Sequence, residues 1–154
     1  MKQNKIEVKK LKSEYCNDKH LTIVIDGVPL DVILHNLYPN NRLLGLVPTI
    51  LDWIDNIKEK ELIKLRFSSL KDEEVLPILI CPDDCDLWCT VIVAKVLQKN
   101  EFIIWDKIGI DKSSREKLLN GYDCIGSKVK WLDKAHSLTF NIDEYNTELN
   151  KIYA

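Results

Sequence analysis

The chain has 154 residues, of which 45% are hydrophobic and 30% are charged. This balance is typical of one compact soluble domain, and the length excludes two large ones. There are 22 Lys and Arg residues against 24 Asp and Glu residues, a formal net charge of -2. No overall charge therefore draws the surface to nucleic acid or to an anionic membrane, and we expect one domain over residues 1–154 with neither partner.

The absence of a recognisable targeting signal and the cysteine usage both predict a cytoplasmic location. The longest uncharged apolar runs, residues 75–81 and 90–94, are far shorter than the roughly 20 residues that span a bilayer. Near the N-terminus Ile6 and Val8 alternate with charged residues and build no signal-peptide core. Five cysteines are an odd number, so we expect a cytoplasmic protein with reduced thiols and no disulfide framework.

The first third of the chain predicts strands and then a helix. Alternation over residues 5–12 predicts an edge strand whose lysines discourage edge-to-edge pairing. Residues 21–26 and 30–35 are apolar runs around a turn at Asp26-Gly27, which predicts a hairpin. After a turn at residues 38–41, Pro48 suits a first helical turn, so we predict a helix near Trp53 over residues 47–58.

The rest of the chain predicts a meander and short flanking elements. A helical or extended piece over residues 62–67 and a charged loop over residues 71–74 should precede three adjacent strands. The predicted elements that follow are strands at 75–80, 87–96, 102–108 and 129–132, a hairpin turn at 98–100, and a short helix ending near Leu119.

Asn141 should cap a C-terminal helix, with Glu144 completing a capping box. Strands in runs followed by helices indicate an α+β fold. We therefore predict a mainly antiparallel sheet on which the helix near Trp53 and the C-terminal helix pack.

The segment over residues 81–89 is the most unusual, because it holds three cysteines and three aspartates. A zinc site is one interpretation, but the cysteine spacing is not that of a zinc knuckle, and Cys16 or His20 would have to complete it. A calcium loop would need a central glycine and a terminal glutamate. The simpler interpretation is a tight turn held by the aspartates, with Cys81 and Cys89 as cross-strand neighbours. We predict no metal and no cofactor.

The same segment also offers candidate catalytic groups, namely a pair of acids or a cysteine nucleophile. An acid pair would need Asp83 with Asp86 or Asp106, and no second element fixes their separation. Cys85 or Cys89 could act as a nucleophile with His35 as its base, but neighbouring aspartates raise a thiol pKa. We predict no catalytic residue, and the alternative is a small metal-dependent or hydrolytic enzyme built on residues 81–89.

Tryptophan is a frequent anchor at protein contacts, although it is more often a core residue. The sequence has four tryptophans, and Trp88 directly follows the acidic segment. If Trp88 and Trp105 belong to adjacent strands of the meander, their rings should face each other across the sheet.

Several strings are distinctive for one group of proteins: Gly45-Leu46-Val47-Pro48-Thr49, Leu51-Asp52-Trp53, Pro77-Ile78-Leu79, Cys81-Pro82-Asp83-Asp84, Cys89-Thr90-Val91-Ile92-Val93, and Trp105 with Gly109 and Asp111. Over about residues 38–132 the chain resembles a family of small bacterial proteins that look like immunity partners of polymorphic or contact-dependent toxins.

The resemblance implies a stoichiometric binder rather than an enzyme. It implies that Asp83, Asp84 and Asp86 meet a basic cleft of a toxin domain by charge complementarity, and that Trp88 adds apolar affinity. A structural or regulatory module is the third interpretation. A large secreted protein encoded upstream would favour the immunity hypothesis, and a metabolic operon would favour the enzyme.

Overall fold

A computed structural model describes residues 2–13, 16–68 and 73–154. Its strands are β1 Ile6–Ser13, β2 Cys16–Ile25, β3 Val28–Pro29, β4 Val47–Pro48, β5 Glu73–Ile80, β6 Val91–Lys99, β7 Phe102–Asp111, β8 Val129–Trp131 and β9 Leu138–Asn141. Its helices are α1 Leu30–Leu37, α2 Ile57–Ser68, α3 Arg115–Leu118 and α4 Ile142–Tyr153, with a 3₁₀ turn at Leu51–Trp53. The predicted α+β class is confirmed. Within the described residues no helix is long and apolar enough to cross a bilayer.

A small sheet has the order β1-β2-β3. β1 pairs with β2 in antiparallel register, with Ile6 opposite Ile25 and Val8 opposite Ile23, and these four side chains are buried. The alternating pattern therefore predicted this edge strand correctly. The turn that ends β2 places Asp26 at φ 52° and Gly27 at φ 83°, as a tight hairpin turn requires.

The larger sheet has the order β4-β5-β6-β7-β8, and β9 pairs with a second stretch of β7. The predicted meander is confirmed, because β5, β6 and β7 are adjacent and antiparallel. Its second strand begins at Val91 rather than at residue 87. Glu73 and Glu74, predicted as loop, begin β5, while residues 71 and 72 lie outside the described residues.

The two sheets are joined through helix α4 and through two hydrogen bonds between Asn4 and Thr139. Glu144 Oε1 accepts a hydrogen bond from the Ile6 N–H at 3.1 Å, and Glu148 Oε1 accepts one from the Val8 N–H at 2.9 Å. Asn4 N–H donates to the Thr139 carbonyl of β9 at 2.7 Å, and Thr139 N–H donates back to Asn4 Oδ1 at 3.0 Å. β1 and β9 are thereby held beside each other under α4.

The predicted strand over residues 30–35 is wrong. After the turn, the chain pairs with β2 at Val28–Pro29 and then enters helix α1. Leu30 and Leu34, four residues apart, are both buried on one side of this helix. Asp31 is buried as well, and its Oδ2 accepts a hydrogen bond from the Gly45 N–H at 2.8 Å. That contact between distant segments favours the helix over continued strand pairing.

The predicted helix over residues 47–58 is also wrong. Pro48 lies in β4, which pairs with β5, and Trp53 closes a 3₁₀ turn. Helix α2 begins at Ile57, because Asn56 Oδ1 accepts hydrogen bonds from Lys58 N–H at 2.9 Å and Glu59 N–H at 3.2 Å. This helix covers the segment at 62–67 that was predicted as helical or extended.

The C-terminal helix was predicted correctly, with one difference at its start. Asn141 Oδ1 caps α4 by accepting hydrogen bonds from Asp143 N–H at 2.9 Å and Glu144 N–H at 3.1 Å. Glu144 reaches β1 rather than completing a capping box. The Glu144 carboxylate thus binds the backbone of β1 instead of the backbone N–H of Asn141, which a capping box would require.

Candidate functional site

The acidic segment over residues 81–89 lies between β5 and β6 and forms a compact turn, which we call the acidic turn. Cys85 N–H donates to the Cys81 carbonyl at 3.0 Å, and the Cys85 Sγ donates to the Pro82 carbonyl at 3.1 Å. Cys85 has φ 47°, and Asp83 and Asp84 are exposed. Asp86 supports the turn through its Oδ1, which accepts from the Trp88 N–H at 3.0 Å. The predicted turn is present, but Asp86 is the aspartate that accepts a backbone hydrogen bond within it, whereas Asp83 and Asp84 are exposed to solvent.

A buried glutamate of α2 anchors the end of this segment. Glu59 is only 2% exposed, and its Oε1 accepts a hydrogen bond from the backbone N–H of buried Leu87. Burial raises the pKa of Glu59, although the bond from Leu87 acts in the opposite direction. No motif marked Glu59 in the sequence, because its partner lies 28 residues away on another element.

Trp88 follows the anchored residue and lies outside β6. Its Nε1 donates to the Tyr122 hydroxyl at 3.0 Å, and the two rings meet edge to face with centroids 6.4 Å apart. The prediction that Trp88 faces Trp105 across the sheet is wrong. Trp105 is fully buried in the core, whereas Trp88 is 37% exposed. A hydrogen bond and a ring contact thus hold an exposed indole in one orientation.

Trp88 forms one wall of a shallow groove of about 540 Å³. The start of α2 and the end of α3 supply the other walls, and the lining residues are Asp55, Asn56, Ile57, Lys58, Trp88, Leu118, Leu119, Gly121 and Tyr122. Ile57 is 70% exposed and Leu119 is 76% exposed. We call this surface the Trp88 groove.

Exposed apolar side chains are concentrated at the Trp88 groove. In the described parts of the chain, the exposed large apolar residues are Val28, Ile57, Leu65, Trp88 and Leu119. Three of these five line the groove. Scattered apolar residues on a surface need no explanation, but a cluster rimmed by polar groups is typical of an interaction site.

The groove lies beside a negatively charged region. Burial raises the pKa of the Cys85 thiol, and further increases come from Cys16, Asp86, Asp84 and Asp55. These carboxylates are therefore close enough to act on one sulfur, and Asp55 also lines the groove. The raised pKa keeps Cys85 protonated, which argues against its use as a nucleophile.

The structure brings two of the proposed metal-site residues together. Cys81 Sγ lies 2.9 Å from Cys89 Sγ, although the two residues flank the ends of β5 and β6 rather than pairing across strands as predicted. His20, considered as a further ligand, contacts the Leu21 carbonyl through Nδ1 at 2.9 Å. Over residues 2–13, 16–68 and 73–154, no group of three or more His, Cys, Asp or Glu side chains is placed to hold a metal ion.

Comparison with known proteins adds no relative to this description. No family model, no curated protein and no solved structure matches the chain. The function of the site therefore has to be argued from its geometry. The site combines an indole held in one orientation, an apolar groove and an acidic turn.

The buried carboxyl of Glu59 gives a prediction about pH. Since its pKa in the folded chain is above the ordinary 4.5, the folded chain binds this proton more tightly than the unfolded chain does. Its contribution to stability is then largest below that ordinary pKa and declines as pH rises through the folded value. In Glu59→Gln this decline is absent, so the free energy of unfolding of the variant, relative to that of the original chain, should increase with pH.

Urea unfolding from about pH 4 to about pH 8 measures this difference, since the range brackets the ordinary glutamate pKa. Glu61→Gln is the matched control, because Glu61 is exposed on the same helix. The control should differ little from the original chain at any pH. A Glu59→Gln difference that is constant across the range contradicts the prediction.

Proposed function

We propose that this chain is a non-catalytic protein-binding module that acts in the cytoplasm as an immunity protein, neutralising a cognate bacterial toxin by stoichiometric binding. The observation that carries the proposal is the Trp88 groove, where three exposed apolar side chains cluster beside the acidic turn. An enzyme site would have to bring reactive groups together. This surface instead brings together apolar side chains and carboxylates, which stabilise a protein–protein contact.

The groove favours a protein partner with an apolar side chain at its centre. Trp88 is fixed by Tyr122 before any partner arrives, so little side-chain freedom is lost when it is covered. Ile57 and Leu119 stand on the opposite walls and would be covered in the same event. A single apolar side chain inserted between them would contact residues from three separate parts of the chain.

The acidic turn favours positive charge around that centre. Asp83 and Asp84 are exposed and Asp86 is half-buried, so a basic surface can approach them without desolvating a buried ion. Such rim charges mainly raise the association rate and set specificity. The basic active-site cleft of a toxin that cuts nucleic acid has this chemistry, and it would be blocked when the acidic turn occupies it.

The first test removes apolar surface from the groove. Leu119→Ser should weaken the affinity for the toxin domain encoded beside this chain by about tenfold, the loss expected for a contributing interface residue. Its Kd is measured by calorimetric titration. Leu65→Ser is the matched control, because Leu65 is 63% exposed on α2 and does not line the groove.

The control variant should bind within about twofold of the original chain, since replacements away from an interface are near neutral. Equal loss in the two variants would place the interface elsewhere. Absence of any neighbouring toxin gene would contradict the immunity assignment and leave only protein binding.

The second test removes the charge of the acidic turn. The triple variant Asp83→Asn, Asp84→Asn and Asp86→Asn should associate more slowly with the same toxin domain, and its association rate should depend less on salt. The turn should persist, because an asparagine Oδ1 can still accept the Trp88 N–H. Stopped-flow association at low and high salt measures both effects. An unchanged rate at both salt concentrations would exclude the acidic turn from the interface.

A further inference from the structure

Two thiols lie in contact at the mouth of the acidic turn. Ile80 and Val91 form the last pair of the β5–β6 ladder. Cys81 directly follows Ile80, Cys89 stands two residues before Val91, and their sulfurs are 2.9 Å apart. Cys89 is exposed, so a dissolved reagent can reach this pair.

The three cysteines of the turn are not equivalent. Cys85 donates its thiol to the Pro82 carbonyl and lies at a positive φ that the tight turn imposes. Cys81 donates its thiol hydrogen to the Cys89 sulfur. Burial raises the pKa of Cys81, and the bond to Cys89 raises it further. Cys81 therefore retains its proton, and exposed Cys89 is the sulfur that meets a reagent first.

We propose that Cys81 and Cys89 form a thiol–disulfide exchange site, which a low-molecular-weight disulfide such as oxidised glutathione converts into an intramolecular disulfide. The inference does not depend on the proposed function. It depends on two sulfurs that already touch, one of them exposed, at a place where a bond would close the turn without rearranging the strands.

The reaction proceeds in two exchanges. The Cys89 thiol gives its proton to water, and the resulting thiolate attacks one sulfur of oxidised glutathione. The glutathione S–S bond breaks, and one glutathione thiolate leaves and takes up a proton. Cys81 then loses its proton and attacks the Cys89 sulfur of the mixed disulfide, which expels the second glutathione. Two protein thiols are oxidised by two electrons, and one glutathione disulfide is reduced to two thiols.

A disulfide between Cys81 and Cys89 would close a covalent loop that contains Asp83, Asp84 and Asp86. The acidic turn would then be tied covalently at its mouth as well as through the Glu59 anchor at Leu87. The disulfide would restrict the unfolded chain more than the folded one, because the two sulfurs are already neighbours in the fold.

The test uses the full chain in glutathione buffers of increasing oxidised fraction, followed by acid quenching and alkylation. Mass spectrometry should show one product that has lost two hydrogen atoms and carries no glutathione. A protease that cuts before aspartate separates the three cysteines, because Asp83, Asp84 and Asp86 lie between them. The expected linked fragments contain Cys81 and Cys89.

Two variants sharpen the result. Cys81→Ser should accumulate a mixed disulfide between Cys89 and glutathione, because the attacking second sulfur is missing. Cys85→Ser is the matched control from the same turn, and its exchange equilibrium constant should stay within about twofold of that of the original chain. Linked fragments that contain Cys85, or a mixed disulfide that persists in the original chain, would overturn the proposal.

Discussion

Replacing Trp105 by alanine is expected to lower the free energy of unfolding by about 3–5 kcal/mol, the range for a large aromatic residue removed from a core. Trp105 is fully buried on β7. Its ring meets Phe140 edge to face at 5.4 Å, and its Nε1 donates to the Tyr145 hydroxyl at 3.0 Å. The variant loses these contacts and leaves the buried Tyr145 hydroxyl without its donor. Guanidinium denaturation followed by circular dichroism measures the loss.

Two other tryptophan variants separate the causes of this loss. Trp105→Phe keeps most of the ring volume and removes the N–H, so it should lose clearly less stability than the alanine variant. Trp53→Ala should also lose less, because Trp53 is half-buried and meets His20 edge to face at the surface of the core. Equal losses for Trp53→Ala and Trp105→Ala would contradict the packing described for β7.

Replacing Arg66 by alanine is expected to lower the free energy of unfolding by about 2–4 kcal/mol, since partly buried acceptors lose a charged donor. Arg66 Nη1 donates to the Val75 carbonyl at 3.0 Å and the Ile125 carbonyl at 2.6 Å, and Nη2 donates to the Asp123 carbonyl at 2.9 Å. One guanidinium thus ties helix α2 to β5 and to the segment after α3. The same denaturation experiment measures the loss.

Arg66→Lys is the matched control for charge. A lysine keeps the positive charge, but its compact ammonium cannot reach three carbonyls with the fixed fork of a guanidinium. We therefore expect Arg66→Lys to recover only part of the stability lost in Arg66→Ala. Full recovery would show that the charge, rather than the three directed hydrogen bonds, stabilises this region.

The meander was predictable because its strands are rich in β-branched and aromatic residues and are separated by turn residues. The same texture was ambiguous at residues 30–35, where a short apolar run fits a strand or a buried helix equally well. Helix α1 is held in place by the burial of Leu30 and Leu34 and by the contact of Asp31 with Gly45, which no local pattern encodes. At residues 47–58, the pairing of Val47–Pro48 with β5 overrode a helical spacing of apolar residues in the same way.

The candidate site was predictable only where it is local in sequence. The acidic turn and Trp88 adjoin each other in the chain, so composition singled them out. Ile57 begins α2, and Leu119 and Tyr122 follow α3, so only the folded chain brings these residues beside Trp88. Glu59 could not be recognised for the same reason, since its role depends on the backbone of Leu87.

The carboxylates of α4 on β1 have a consequence for partly unfolded forms of the chain. Glu144 and Glu148 occupy backbone donors of β1 that would otherwise be free to bind another polypeptide. A hydrogen bond from Lys151 and the Val8 N–H lower the pKa of Glu148, so this carboxylate stays ionised into more acidic solution than an ordinary glutamate. Loss of α4 would uncover these donors together with buried Tyr145 and Leu149. A chain in that state would present an unpaired strand edge, so the docking of its last helix protects the chain from edge-to-edge association.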